Sequence, residues 1–315
     1  MGYYNEYLYE DAITWTTDGA NAGTVHFRDG KFYCTNVCGV LLNEDGNANR
    51  CVAEILGSVS KKYVSYVGNP KLMNNVMSEI RIHIPSLLEQ KKIDGFIASL
   101  DHRIAKQREL IEHLKKYKRG LLSAVFSREL SFSDGQWISK PFSEIAHLGK
   151  KRFTPSPNEC KPCIELEHIE QLTGRLLGNV NSSEQNSQKS AFEKGDVLFG
   201  KLRPYLKKYA LPDFEGVCST EIWVFKPTEW ITSEFLYYLV QSEGFINAAN
   251  ISSGTKMPRA EWSKVASTVF FLPNIEDQTK IVNLLMKIDK KINTESMLLE
   301  KLEQFKKASL QKLFI

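Results

Sequence analysis

The sequence has little of what would mark a membrane, secreted or metal-binding protein. None of its 315 residues form an apolar run long enough to span a bilayer, and the N-terminus lacks the basic-then-apolar order of a secretory signal. Its six cysteines are scattered, and the single Cys-x-x-Cys, Cys160 to Cys163, has no second pair and no fitting histidines. We therefore expect a cytoplasmic protein with reduced thiols and no metal.

Motifs that would identify a catalytic centre are also missing. There is no Gly-rich dinucleotide fingerprint, no P-loop, and no Asn-Pro-Pro-aromatic or Asp-Pro-Pro-aromatic tetrapeptide such as a methyltransferase would need. Glu165 and Glu167 could share one face of a strand, as in a metal-dependent nuclease, but no third ligand accompanies them. We therefore expect no catalytic residue, no cofactor and no enzymatic activity.

The overall charge is too small to identify a partner. The net charge is +4, with 42% hydrophobic and 25% charged residues, which is ordinary for a globular protein. Any nucleic-acid surface must therefore be a local basic patch.

What the chain does contain is a long internal repeat. Residues 82–126 align without a gap with residues 270–314 at an offset of 273 − 85 = 188. Apolar residues recur in both copies at alternating steps of three and four, which predicts two long helices with an a/d seam that bury their apolar stripes against each other. The seam residues that we expect to make helix–partner contacts are Ile97, Leu100, Ile104 and Leu114 in the first copy and Leu285, Ile288, Ile292 and Leu302 in the second.

The seam also has polar residues at matching places. Gln107 corresponds to Glu295, and Lys118 corresponds to Lys306. Polar seam residues can fix register and partner, or their charged ends can reach solvent at the edge of the seam.

The regions ahead of each helix read as mixed domains. Residues 12–17 have a strand pattern, and Asp29-Gly30 is the strongest signal for a two-residue hairpin turn. A weaker repeat matches Asp11 with Asp196 and Thr35 with Thr220, at an offset of 185. On this alignment the first domain lacks its front half.

Several segments together resemble the specificity subunit of type I restriction–modification systems. They are the helix beginnings at Pro85 and Pro273, the Gly195–Leu198 and Lys201–Pro204 segments, the Ser253-Gly254-Thr255 loop and the Ile13–Val25 run. The resemblance implies an α+β fold in which mixed α/β target-recognition domains alternate with two long helices that pair as an antiparallel coiled coil. The expected divisions are a partial recognition domain over 1–81, a helix over 82–130, a complete recognition domain over 137–269 and a helix over 270–315.

The same resemblance implies a non-enzymatic reader of double-stranded DNA. Each recognition domain would bind one half of a split target, while the paired helices set the spacing and dock methyltransferase subunits, with or without a restriction subunit. The shortened first domain leaves open a homodimer or a complementing specificity chain. The alternatives are a coiled-coil scaffold and an inhibitor that binds the methyltransferase without reading DNA.

Residue type identifies the candidate DNA contacts, because phosphates need cations and hydroxyls while bases need side chains that reach groove edges. In the complete domain the candidates are Lys150, Lys151 and Arg152, then Lys201, Arg203, Tyr205 and Lys207, and then Ser253, Thr255, Lys256 and Arg259. In the partial domain they are Thr17 and Asn21, within a hairpin that could equally serve only for packing.

Overall fold

The structure is a computed structural model that describes residues 5–42, 46–130, 137–251 and 257–314. The chain divides into two units: unit 1 contains Met1–Glu112 and Thr294–Ile315, and unit 2 contains His113–Asn293. Two long helices, α3 (Leu87–Phe126) and α8 (Ile275–Leu313), contribute to both units. In the part of the chain that is described, no helix combines the length and the apolarity needed to cross a membrane.

The described part of unit 1 is built on one antiparallel sheet. Its elements ahead of α3 are β1 (Tyr9–Thr16), β2 (Val25–Phe32), β3 (Cys38–Leu41), α1 (Arg50–Ser60), a 3₁₀ turn (Lys61–Tyr63) and α2 (Asn74–Ser78). The strand order is β2-β1-β3, and α1 buries one face against the sheet. Trp15 at the centre of the sheet is 4% exposed and donates its indole N–H to the Leu72 carbonyl at 3.2 Å. This bond anchors the segment that leads towards α3.

The hairpin turn predicted at Asp29-Gly30 is wrong. Strand β2 runs through both residues, and the β1–β2 pairing slips there between Glu10 and Ala12, which makes the site a β-bulge. Gly30 has φ +71°, and its N–H donates to the Asp11 carboxylate at 2.7 Å. The left-handed preference of the Asp-Gly pair thus serves a bulge, while residues 17–24 make the connection between the strands.

The described part of unit 2 contains three sheets. Its elements are β4 (Ile138–Pro141), α4 (Phe142–Ile145), β5 (Ala146–Leu148), β6 (Arg152–Phe153), β7 (Pro162–Ile164), β8 (Val180–Asn181), β9 (Lys189–Phe192), β10 (Val197–Gly200), β11 (Tyr209–Ala210), β12 (Gly216–Ser219), β13 (Ile222–Pro227), α5 (Ser233–Leu239), α6 (Glu243–Asn250), α7 (Trp262–Ser267) and β14 (Val269–Leu272), with 3₁₀ turns at Leu166–His168, Ser182–Glu184 and Pro204–Leu206. The orders are β11-β10-β13-β5, β6-β9-β12-β7-β8 and β14-β4. An aromatic core around Phe142, Phe225 and Phe245 joins the four-stranded sheet to α5, α6 and α7.

Two breaks shape the short helices of unit 2. Helices α5 and α6 are separate, because Ser242 adopts an extended backbone and caps α6 by accepting a hydrogen bond from Phe245 N–H at 3.3 Å. Helix α4 is limited to four residues, since the following Ala146–Leu148 pairs with β13.

The domain repeat is present at the level of strand pairing, but at a different offset from the one predicted. In unit 1, Ile13 pairs with Leu41; in unit 2, Val197 pairs with Phe225. Both members therefore shift by the same amount, 197 − 13 = 184 and 225 − 41 = 184. The pairing of β1 with β2 maps onto that of β10 with β11 at the same offset. The predicted offset of 185 was wrong by one residue. It rested on two residue identities, Asp11 with Asp196 and Thr35 with Thr220, which can match by chance, whereas hydrogen-bonded strand pairing fixes the register.

The two long helices pair antiparallel within each unit, which confirms the predicted fold class. In unit 1 Asp101 bonds to Lys306 at 2.7 Å, and further along α3 Arg108 bonds to Glu303 at 2.5 Å. In unit 2 Lys118 bonds to Asp289 at 2.7 Å. Each unit therefore contains one copy of the same repeat-related Asp–Lys pair, so these polar seam residues fix register.

The predicted seam residues lie where the helices pack inside the units. Five of them are buried, namely Ile97, Ile104, Leu285, Ile288 and Ile292, and the other three, Leu100, Leu114 and Leu302, are partly buried. The buried five stabilise the helix pair itself, and an outside protein cannot touch them directly. Gln107, also in the seam, donates to the Glu295 carboxylate at 2.6 Å.

Candidate nucleic-acid interface

A basic loop, residues 201–208, follows β10, an inner strand of the four-stranded sheet in unit 2. Beyond Gly200, the loop is tied to a second segment by two backbone hydrogen bonds. Arg203 N–H donates to the Pro258 carbonyl at 2.8 Å, and Ala260 N–H donates to the Lys201 carbonyl at 2.8 Å. The structure thus brings Arg259 beside Lys201 and Arg203, which joins parts of two clusters that the sequence analysis treated separately.

Two residues of this loop have a strained backbone. Arg203 and Lys207 flank the 3₁₀ turn and have φ of 52° and 49°, in the left-handed region. A residue with a Cβ disfavours this region by about 1–2 kcal/mol. Between them Tyr205 is 52% exposed, and Arg203 is exposed as well. Local strain at two cationic residues beside an exposed aromatic ring is typical of a functional surface.

The opposite side of the loop is anchored in unit 2. Tyr209 donates its hydroxyl to the Leu172 carbonyl at 2.6 Å, and Leu172 N–H donates to the Lys207 carbonyl at 3.1 Å. Lys208 turns inward to donate to the Leu166 carbonyl, and burial lowers its pKa. The loop is therefore held rigidly, and a rigid loop loses little conformational entropy when it binds a ligand.

One acidic side chain lies within this surface. The Glu221 carboxylate accepts a hydrogen bond from the Arg259 guanidinium at 3.0 Å, and its carbonyl accepts from Lys201 N–H at 2.9 Å. The pair holds Arg259 in place while half of its side chain stays exposed. The remaining cations give the loop a net positive charge, which suits contact with phosphates.

The predicted cluster at residues 150–152 lies elsewhere in unit 2. Arg152 belongs to the edge strand β6 and donates to the Ser190 hydroxyl at 2.6 Å, and the Lys151 carbonyl accepts from Ala191 N–H. Lys150 is exposed just before this strand. In the described ranges no hydrogen bond or ion pair joins these three residues to the 201–208 loop. The predicted Ser253, Thr255 and Lys256 lie outside the described residues.

The counterpart loop in unit 1 has the same framework. Gly19 N–H donates to the Pro70 carbonyl at 2.9 Å, and Leu72 N–H donates to the Thr17 carbonyl at 2.9 Å. At the offset of 184, Gly19 corresponds to Arg203 and Thr17 to Lys201. The predicted contact Thr17 is 9% exposed, so its side chain has little surface to offer a base, whereas Asn21 is exposed.

Sequence reasoning missed an exposed patch next to that loop. Lys61, Lys62, Tyr63 and Tyr66 are all exposed, with Tyr66 at 70%. The two lysines and two tyrosines within the six-residue run KKYVSY were the available signal.

The acidic pair considered for a nuclease has a structural role. Glu165 accepts a hydrogen bond from the ammonium of Lys189 at 2.5 Å, and Lys189 is 3% exposed, so the carboxylate neutralises a buried cation. Across the residues that the structure covers, no group of three or more His, Cys, Asp or Glu side chains is placed to hold a metal ion.

Comparison with known proteins identifies the family. The model of the family described as "Type I restriction modification DNA specificity domain" matches residues 1–116 and 136–304. The "Type I restriction enzyme EcoDI specificity subunit" of Escherichia coli is 22% identical over 249 residues, covering 68% of this chain and 56% of that protein. The chain thus spans little more than half the length of this relative.

Two solved structures share the fold. The S subunit of the type I restriction–modification system from M. genitalium aligns with a TM-score of 0.64 at 15% identity, over 99% of this chain and 85% of that one. A chain from a study of complex assembly and conformational transition of the type I R-M system aligns with a TM-score of 0.57 at 15% identity, over 98% and 83%. With the family match over most of its length, the chain belongs to the type I restriction–modification DNA specificity family.

Proposed function

We propose that this protein is a non-catalytic specificity subunit that reads double-stranded DNA and directs methyltransferase subunits to a bipartite target. Unit 2 reads one half of the target through the 201–208 loop and the adjoining Arg259. Methyl transfer is carried out by the methyltransferase subunits and cleavage by a restriction subunit where one is present.

One observation carries this proposal. Arg203 occupies a left-handed position, bonded to Pro258, where the equivalent loop of unit 1 has Gly19 bonded to Pro70. A glycine would adopt this backbone at no steric cost. The arginine is best explained by what its side chain does, and a guanidinium can form two hydrogen bonds to the O6 and N7 of guanine.

The surroundings of Arg203 support the same role. Lys201 and Lys207 can neutralise phosphates on either side of a base contact, because both are partly exposed on the same loop. Tyr205, with half of its surface exposed, can pack on a sugar or a base edge.

The helix pair offers a different surface to the methyltransferase. On α3, His113, Lys116, Tyr117 and Gly120 line a shallow apolar depression on the outer side, and Tyr117 is 60% exposed. These outward residues, not the buried seam, are the docking candidates. Leu114→Asp should weaken docking indirectly, because a charge in the seam would separate the helices.

The decisive test is a methylome. The chain is expressed with its neighbouring methyltransferase subunit in a host that lacks DNA methylation, and modified bases are sequenced. A split asymmetric motif means that a complementing specificity chain completes the target, while a symmetric split motif means that two copies of this chain pair. If no base is modified while the methyltransferase works with another specificity chain, the proposal fails in favour of a scaffold or an inhibitor.

A matched pair of variants links the motif to the loop. Arg203→Ala should abolish methylation of the motif or relax one of its positions, whereas Arg152→Ala should leave the motif unchanged, because Arg152 is engaged with Ser190 in β6. A motif that is unchanged in Arg203→Ala removes this residue from base reading.

A further inference from the structure

A small hairpin lies against the basic 201–208 loop in unit 2. Ile169 pairs with Leu176 across the hairpin, and the chain turns between them. At the turn, Leu172 N–H donates to the Lys207 carbonyl at 3.1 Å. The turn is therefore an immediate neighbour of the surface that we propose to read DNA.

Three contacts fix this turn to the rest of unit 2. The Tyr209 hydroxyl donates to the Leu172 carbonyl at 2.6 Å, and the Tyr237 hydroxyl donates to the Thr173 carbonyl at 3.4 Å. A Cβ added at Gly174 would clash with the same Tyr237 hydroxyl, so the turn packs directly on α5. Because Tyr209 belongs to β11 and Tyr237 to α5, the turn is held in place relative to the basic loop.

Leu172 occupies a backbone position that does not suit a leucine. Its φ is 67°, in the left-handed region, which costs energy for a residue with a Cβ. Asparagine and aspartate compensate with a local hydrogen bond, which an aliphatic side chain cannot make. Leu172 is 59% exposed, so burial does not offset the cost either. A contact with a molecule outside the chain therefore explains this leucine better than the fold does.

The same backbone conformation recurs at this surface. Within the described part of the chain, five residues other than glycine have positive φ, and three of them meet here, namely Leu172, Arg203 and Lys207. Strained residues concentrate where binding needs particular side chains. Two of the three are cations, which suit phosphates and guanine. The third is an exposed aliphatic group, which requires a different contact on the same ligand.

Duplex DNA presents one apolar group at its major-groove edge. This group is the C5 methyl of thymine, which apolar side chains contact and which distinguishes thymine from the other bases. We propose that Leu172 is a specificity-determining residue that contacts the C5 methyl of a thymine in the half target read by unit 2. The inference rests on the proposed function, because it requires that unit 2 binds DNA through the 201–208 loop.

The rigidity of the turn matters for so small a contact. A leucine on a mobile loop would lose conformational entropy on binding, and this loss would offset the gain from one methyl group. On a turn fixed by Tyr209, Tyr237 and the Lys207 carbonyl, only the side chain of Leu172 is ordered. The methyl contact then contributes directly to the affinity for the target.

The first experiment is a uracil scan of the target. The chain with its methyltransferase subunit is titrated with duplexes that contain the methylated motif, and each thymine of the motif is replaced in turn by uracil, which removes only the methyl group. We expect one replacement to weaken binding by about threefold to fivefold, the effect of one buried methyl group. A scan in which no replacement weakens binding, or a motif without thymine, overturns the inference.

The second experiment assigns the methyl group to the leucine. Leu172→Ala should weaken binding to the thymine duplex by a similar factor and abolish the difference between thymine and uracil at that position. Leu177→Ala is the matched control, because Leu177 is 57% exposed in the same segment but its N–H bonds to the His168 carbonyl instead of to the loop. This control should keep both the affinity and the uracil effect.

Two other results contradict the assignment. A uracil effect that persists in Leu172→Ala, or that Leu177→Ala also removes, means that the methyl group is not read by Leu172. An equal loss of affinity for the thymine and uracil duplexes in Leu172→Ala identifies instead an apolar wedge between bases, which does not depend on the methyl group.

The outcomes separate this inference from the proposed function. A complex that recognises no motif overturns both, because no DNA is read. A complex that recognises a motif, and whose binding shows no uracil effect that depends on Leu172, overturns only the methyl contact and leaves the proposed function intact.

Discussion

The loops that follow the inner strands β1 and β10 of the two units have the same backbone hydrogen bonds and different surface charge. Each is held by an N–H bond to a proline carbonyl, from Gly19 to Pro70 and from Arg203 to Pro258. The 201–208 loop has four cations and no acid, while the 17–24 loop has one aspartate and no cation. A shared frame with different side chains shows which features support the fold and which are available for binding.

The difference extends beneath the loops. The described part of unit 1 has one three-stranded sheet, whereas unit 2 adds a five-stranded sheet built mainly from residues 152–192. The helix-facing side is similar in both, since each unit contains the same Asp–Lys pair. The additional sheet is therefore the main difference between unit 2 and the described part of unit 1.

The largest expected effect comes from removing the aspartate of the Asp–Lys pair in each unit, Asp289 in unit 2 and Asp101 in unit 1. Lys118 is 7% exposed, and Asp289 also accepts the Tyr238 hydroxyl at 2.8 Å, so Asp289→Ala should destabilise unit 2 by about 3–5 kcal/mol. In unit 1, Lys306 is less buried and retains Glu54 at 3.3 Å, so Asp101→Ala should cost about 1 kcal/mol or less. Native-state hydrogen exchange measures the opening free energy of each unit separately. Equal losses in the two units would contradict this asymmetry.

Replacing Arg203 by glycine tests why an arginine occupies this left-handed position. Arg203→Gly should raise the free energy of unfolding by about 1 kcal/mol, because the left-handed strain is relieved. It should also weaken binding to the cognate DNA by about tenfold to a hundredfold, through loss of a bidentate base contact. Urea denaturation and DNA titration are the measurements. A variant that loses stability would show that Arg203 supports the fold.

The converse substitution in unit 1 is the matched control. Gly19 has φ +90° and open space around its Cβ position, so Gly19→Ala should destabilise unit 1 by about 1 kcal/mol through backbone strain alone, without altering DNA affinity.

Salt dependence sharpens the contrast in charge. Lys207→Ala should reduce the slope of log affinity against log salt by about 1, the effect of one lost phosphate contact. Lys71→Ala is the control. Lys71 corresponds to Arg259 at the offset of 188, but its ammonium lies 3.6 Å from the Asp18 carboxylate, in the 17–24 loop, which carries no cation. A slope that changes equally in both variants would place DNA on both units.

The smallest effect concerns the thiols. Burial raises the pKa of Cys51 in unit 1 and of Cys163 in unit 2 to about 11, so at pH 8 neither has an appreciable thiolate population. Cys160 is exposed and should be labelled first by a thiol reagent, with mass spectrometry identifying the site. Rapid labelling of Cys163 would show that the sheet unique to unit 2 opens readily.

The helices were predictable because their signal is periodic and long. An uninterrupted a/d seam over some forty residues has no alternative use in a globular protein, and the repeat identified the partner helix. The short strands were less predictable. Asp29-Gly30 has the composition of a turn and forms a bulge, because the pairing partner, not the local sequence, decides between them. Ser242, which separates α5 from α6, is likewise not a helix breaker by its residue type. The chain breaks there because Ser242 caps α6.

The candidate site divides in the same way. Residue types alone identified Arg203 and Tyr205, since few other segments combine cations with an aromatic ring. Their junction with Arg259 depends on backbone hydrogen bonds between segments more than fifty residues apart, which composition cannot reveal. Thiol burial and the covering of Tyr237 by the 172–174 turn are likewise products of packing.

By itself, then, the sequence determined the two long helices and their mutual pairing, because hydrophobic periodicity and internal repetition are properties of the chain. Only the tertiary structure decided the repeat offset of 184 and the strained arginine beside Pro258. These depend on register and on which distant segments meet, and hydrogen bonds and burial fix both only once the chain has folded.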